Sequence, residues 1–145
     1  MKLCIASDYT GDEMRIAVTD YVRSLGHEAT DITRTDIREE YPLIGERAGR
    51  AVAAGEYDLG ILICGTGIGI SLAANRVKGI RAAVVSEPYS AKMSRTHNNA
   101  NIIAFGSRVV GVEMSKMIVD AFLSSSFEGG RHEERIALLE GIDRN

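Results

Sequence analysis

The stretch ILICGTGIGISLAAN, residues 61–75, carries branched apolar residues into Cys64, then three alternating glycines, then a run of small residues. A short continuous apolar run bounded by turn residues predicts a strand buried on both faces, the mark of a parallel sheet. The glycine turn predicts a helix opening directly from that strand. The first amides of such a helix have no partners within it, so they form a ready anion cradle. A dinucleotide fingerprint would need a third glycine where Ile70 stands, and it would follow the first strand rather than the third. A phosphate loop of the triphosphate type would need a lysine, and none occurs between Glu56 and Asn75. The cradle is left for another anion, with a thiol at its threshold.

The rest of the chain repeats the same alternation. Strands are predicted at residues 3–6, 28–32, 59–63, 80–85 and 101–105. Between them, Met14, Val18, Tyr21, Val22 and Leu25 recur at helical spacing before Gly26. Further helices are expected at 44–54, 68–74, from Pro88 toward Thr96, and at 110–123. A last helix begins near Arg131 and places Ile136, Leu139 and Ile142 on one face. Buried strands alternating with helices predict a doubly wound, Rossmann-like five-stranded parallel sheet, a three-layer α/β/α sandwich. Ligands of such sheets bind outside the carboxyl ends of the strands. Those ends are Ser7-Asp8-Tyr9, Cys64-Gly65-Thr66, Ser86-Glu87 and Gly106-Ser107-Arg108.

Composition narrows the function classes. The 145 residues, 45% hydrophobic and 26% charged, suit one domain over 1–145 with a full core. A net charge of -3 offers no overall basic footprint for nucleic acid, and no apolar run is long enough for a membrane span. The opening MKLCIASD turns acidic too soon for a signal peptide. Two cysteines in apolar runs, Cys4 and Cys64, suit reduced thiols in a cytoplasm.

Three groups of residues carry chemistry. Cys64 precedes a helix N-terminus, which favours a thiolate relative to a free pKa of about 8.5 and suits a base or nucleophile. Taken alone it reads equally as a small buried hydrophobe, the reading given to Cys4. His97 and Asn98 close a helix, where an imidazole can exchange protons near neutral pH or merely cap the surface. His27 lies in a turn without a chemical partner. Arg131 and Arg135, spaced i,i+4, leave one helix face, and Arg108 follows the fifth strand; converging arginines suit a phosphate. The alternative for Arg131 is an ordinary pair with Glu134. No His/Cys/carboxylate spacing resembles a metal site, so no metal is expected. A base, an oxyanion cradle and a phosphate clamp together suit proton transfer beside a carbonyl, the chemistry of an aldose–ketose isomerase.

The segments ICGTGIGISLAAN, GIRAAVVSEPYSAKMSRTHNNANIIAFGSRVVG and FEGGRHEER resemble type B ribose-5-phosphate isomerases and the related galactose-6-phosphate isomerase subunits. The resemblance spans essentially the whole chain. It implies a homodimer or homotetramer with sites shared between subunits, a phosphorylated sugar substrate and no cofactor. By the same resemblance Cys64 is the base, and the amides of Gly65, Gly67 and Gly69 hold the enediolate with Thr66 beside them. Asp8 and His97 open the furanose ring, Asn98 contacts the sugar, Tyr41 lines the pocket, and Arg108, Arg131 and Arg135 hold the phosphate. One position departs: Tyr9 stands where the family usually has a histidine that helps hold the phosphate. Ribose 5-phosphate is the substrate expected first. A tetrose 4-phosphate, or allose or galactose 6-phosphate, is the alternative, and a non-catalytic phosphosugar-binding regulator is the rival from another class.

Overall fold

The structure, a computed structural model, describes residues 1–142. Five parallel strands lie in the order β2-β1-β3-β5-β4. They are β1 (Lys2–Ser7), β2 (Glu28–Asp31), β3 (Leu59–Cys64), β4 (Ala82–Val84) and β5 (Ile102–Gly106). Six helices connect and follow them: α1 (Asp12–Ser24), α2 (Tyr41–Ala53), α3 (Ile68–Asn75), α4 (Pro88–Thr96), α5 (Val112–Leu123) and α6 (Arg131–Glu140). The three-layer α/β/α architecture is the one the sequence predicts.

Right-handed crossovers decide which helix covers which face. The chain steps one way along the sheet through α1 and α4, and the other way through α2 and α3. The two pairs therefore fall on opposite faces. Val18, Val22, Ala91, Ile118 and Phe122 from α1, α4 and α5 join one core cluster. Ile44, Ala48, Ile70 and Ala74 from α2 and α3 join the other. β3 is central, and all six of its residues are buried. Its uninterrupted apolar run was legible for that reason. α2 and α3 approach closely because Gly45 has no side chain: a Cβ there would stand 2.5 Å from the Ile70 carbonyl oxygen.

Most element ends fall within two residues of the sequence reading, and three differences bear on the site. β4 covers only Ala82–Val84, because the Asn101 side chain accepts from the Arg81 amide and Asn75 brackets Ala82 with a donated and an accepted hydrogen bond. α2 begins at Tyr41, with Pro42 in its first turn. A short 3-10 turn, Tyr9–Gly11, intervenes between β1 and α1. α4 opens as expected at Pro88, with the Glu87 carboxylate accepting from the Ser90 amide.

The doubling-back of the chain also sets the crevice. β1 and β3 are neighbours, with Ser7 beside Ile63, yet the helices that follow them leave on opposite faces. β3 and β5 are neighbours in the same sense, with Cys64 beside Gly106. Cys64 therefore ends the strand flanked by both openings.

Candidate active site

The turn after β3 is built around Cys64 and Gly67. Gly67 has φ +81°, a conformation that side-chain-bearing residues rarely adopt, and a Cβ there would lie 2.8 Å from the Phe105 backbone. This close approach aims the Gly67 amide at the Cys64 sulfur, 3.1 Å away. The next amide, of Ile68, donates to Thr66 Oγ1 at 3.2 Å. Cys64 is 5% exposed, so the thiol belongs to a side chain largely withdrawn from solvent. Cys4 behaves differently: burial in the core pushes its thiol up to about 12, which makes it an inert packing group.

Asp8 stands beside this turn. Its amide donates to the Ile63 carbonyl at 3.2 Å, and its carboxylate accepts from the Thr10 amide at 3.0 Å and from Thr10 Oγ1 at 2.5 Å. The Ser107 hydroxyl donates to the Thr10 carbonyl at 2.9 Å and lies 3.3 Å from the Cys64 carbonyl, tying the three loops together. Arg108 follows, its amide on the Gly65 carbonyl at 3.1 Å. Its guanidinium passes 3.6 Å from where a Gly65 Cβ would be. The Tyr41 ring covers Gly69 at 2.7 Å by the same measure. The end of β1 is held from below by Arg15, which donates to Ser7 Oγ and Asp31 Oδ2 at 2.7 and 2.8 Å and pairs with Asp12.

Cys64, Gly65, Thr66, Gly67, Gly69, Asp8, Tyr9, Tyr41 and Arg108 thus gather at the carboxyl ends of the strands. His97, Asn98, Arg131 and Arg135 do not. α4 runs back along the sheet, so His97 and Asn98 lie at the amino end of β5, about 16 Å of strand away from the Cys64–Gly106 pair. The loop after α5 also ends there: the Glu128 amide donates to the Thr96 carbonyl at 3.1 Å, which delivers Arg131 to the same edge. The three arginines expected to converge are therefore divided within one chain, Arg108 at one end of the sheet and Arg131 and Arg135 at the other. Neither Arg131 nor Arg135 has an ion pair among the described residues, and the expected alternative of an Arg131–Glu134 pair is not formed.

At the amino edge the His97 and His132 rings stack, 4.2 Å between centroids and 10° between planes. His132 Nε2 lies 3.8 Å from Glu128 Oε2. One ligand atom from each of His97, Glu128 and His132 lies within 4.8 Å of the others, a grouping that the scattered sequence positions concealed. The two rings are nearly parallel, so their in-plane lone pairs do not converge on one point, and Arg131 adds positive charge alongside. His132 is held below the ordinary imidazole range, first by burial and then by His97 and Arg131.

A protonation site depressed in the folded state binds its proton more readily when unfolded. Its effect on stability is absent above about pH 6.5 and grows as the pH falls from there toward the lower folded value. Urea midpoints measured at pH 7.5 and 5.5 should therefore fall less for His132→Asn than for the wild type. An equal fall in the two proteins would place the acid sensitivity elsewhere.

Residues 3–139 match the family described as ribose/galactose isomerase. The chain belongs to that family. It is 48% identical to ribose-5-phosphate isomerase B of Escherichia coli, over 99% of this chain and 97% of the relative. The solved ribose-5-phosphate isomerase B of Clostridium thermocellum superposes with a TM-score of 0.93 at 45% identity, over 97% of this chain and 95% of that one. The Mycoplasma genitalium enzyme, solved with bound ribulose 5-phosphate, superposes with a TM-score of 0.90 at 37% identity, over 96% and 93%.

Among the residues to which sequence reasoning gave no role are Thr10, Arg15, Ser107, Glu128, His132 and Arg38. Thr10 and Ser107 act through short contacts that cross loops. His132 sits inside the quoted FEGGRHEER segment, next to Arg131, so that segment already contained it. Arg38 lies over the Tyr9 ring, 4.0 Å from its centroid, and nothing in the sequence pairs residues so far apart.

Proposed function

We propose that this chain interconverts ribose 5-phosphate and ribulose 5-phosphate by proton transfer through an enediolate, at sites shared between two copies of the chain. The observation that carries the reading is the Gly67 amide donating to the Cys64 sulfur beneath an open helix N-terminus. Cys64 removes the proton from C2 of the open-chain aldose. The electron pair moves to the C1–C2 bond, and the carbonyl oxygen on C1 becomes the enediolate oxygen. Free amides of the turn receive that charge, and preorganised donors of this kind supply about 3 kcal/mol each. A proton passes from the C2 hydroxyl to the C1 oxygen as the C2 carbonyl forms, and the thiol returns the first proton to C1, giving the ketose. No redox change outside the sugar is required, so the reading calls for no cofactor.

Ring opening needs an acid and a base on the furanose before this step. Asp8 supplies one group in the chain that carries Cys64. His97 supplies the other from a second copy, because within one chain it stands at the far edge of the sheet. Asn98, Arg131 and Arg135 travel with it. Exposed apolar residues beside the turn, Tyr41, Leu43, Ile68 and Leu72, support a second copy docking there. Dimer or tetramer, the assembly suits a reducing cytoplasm, where both thiols stay free. Among the described residues no helix is long and apolar enough to cross a membrane.

The direct test follows ribulose 5-phosphate formation from ribose 5-phosphate, with tetrose and hexose phosphates in parallel. Preference for a four- or six-carbon substrate would overturn the choice of sugar. The clamp has its own test. Arg135 is exposed and without an ion pair among the described residues, so Arg135→Ala should leave the melting temperature unchanged. A charged hydrogen bond contributes about 1.5–3 kcal/mol, so affinity for the phosphorylated sugar should drop about 10- to 100-fold. Weak turnover of free ribose should barely move, and equal losses on both sugars would show that Arg135 does not bind phosphate.

A further inference from the structure

We propose that Arg38, held on the face of Tyr9, binds the substrate's phosphate from the same chain that carries Cys64. This rests on the isomerase reading for the identity of the ligand, while the phosphate site itself stands on the geometry. A cavity of about 380 Å³ opens at the carboxyl ends of β1 and β2, lined among others by Ser7, Tyr9, Thr33, Arg34, Arg38 and Ile44. It adjoins the reacting turn. Tyr9 follows Asp8, Asp8 binds Thr10, and Thr10 Oγ1 lies 3.8 Å from the Cβ position of Gly65.

The charges around this cavity are unequal in their freedom. Asp12 is engaged by Arg15, and Glu39 by Arg47 through both of its oxygens. Asp36 is exposed and remains an open acid. Among the described residues Arg38 pairs with one carboxylate, Glu40, with 3.9 Å between Nε and Oε1 and both side chains about two-thirds exposed, so water screens the pair. Arg34 makes no hydrogen bond among the described residues. Two guanidiniums are thus left with donors to spare.

Stacking is what makes Arg38 useful. A guanidinium on an aromatic ring spends its flat face and keeps the N–H groups at its edge, the arrangement that receives a phosphate through two parallel hydrogen bonds. The carrying loop is tied at both ends. The Ser7 amide donates to Thr33 Oγ1 at 3.1 Å, and Arg47 donates to the Ile32 carbonyl at 3.2 Å and to Glu39 at 2.7 Å. Arg38 is therefore presented from an anchored segment. Tyr9, which has no charge of its own at neutral pH, acts as the platform for one.

The experiment compares the wild type with Arg38→Ala, Arg38→Lys and Tyr9→Leu. Inorganic phosphate is the first probe, its dissociation constant read by calorimetry, and steady-state kinetics on ribose 5-phosphate is the second. Arg38→Ala should weaken phosphate binding and raise KM by about tenfold each, with kcat within about twofold and the melting temperature unchanged. Arg38→Lys should recover only part of the loss, since an ammonium has no fork, and Tyr9→Leu should lose an intermediate amount. Phosphate affinity and KM both within about twofold of wild type in Arg38→Ala would overturn the proposal, as would a loss confined to kcat. If the wild type turns over no sugar phosphate, the isomerase reading fails, and the calorimetric arm still decides whether Arg38 binds phosphate.

Discussion

Cys64→Ala will lower kcat for ribose 5-phosphate by about 10²- to 10⁴-fold, the range that a positioned proton-transfer group contributes. The protein will stay folded, because Cys64 is buried and an alanine fits where the sulfur was. The lost partner of the Gly67 amide costs about 1–3 kcal/mol of stability, a modest share of a folded domain's margin. Binding of the phosphorylated sugar should persist, since no phosphate ligand is touched. Two readouts separate the base from a structural cysteine: turnover, and exchange of the C1/C2 proton with deuterated solvent followed by NMR. Both must collapse together. Exchange surviving at more than about a tenth of the wild-type rate would move the base to another residue. Cys64→Ser keeps an acceptor for the Gly67 amide, so it should restore stability without restoring exchange.

Mixing two inactive variants will restore activity. Cys64→Ala lacks the base at the carboxyl end of β3, and His97→Asn lacks the imidazole at the amino end of β5. If each site takes its base from one copy and its histidine from another, a mixed dimer carries one doubly damaged site and one intact site. Random exchange of equal amounts makes half of the dimers mixed, so about a quarter of wild-type activity should return. Neither variant alone, at any concentration, should show it. If mixing after denaturation and refolding brings back no activity, the site is not shared, and His97 cannot serve the cysteine of another copy. The expected change is large because it starts from two nearly silent proteins.

The sequence by itself determined the sheet and the turn. β3 is buried on both faces, so its residues must be uninterruptedly apolar, and no surface requirement blurs the pattern. The glycine spacing after Cys64 follows from backbone geometry, since the positive φ and close approach at Gly67 suit only glycine. Family membership was legible for a related reason: the motifs that carry the resemblance are short contiguous segments. What the sequence could not carry was the pairing of those segments in space. It grouped Arg108 with Arg131 and Arg135 by charge, and Asp8 with His97 by resemblance. Only the fold divides them, because a helix returning from the carboxyl end must deposit its last residues at the amino end of the next strand. The stacking of His97 on His132, and of Arg38 on Tyr9, was hidden as well. Such contacts depend on where loops of irregular backbone come to rest, and no periodicity records that.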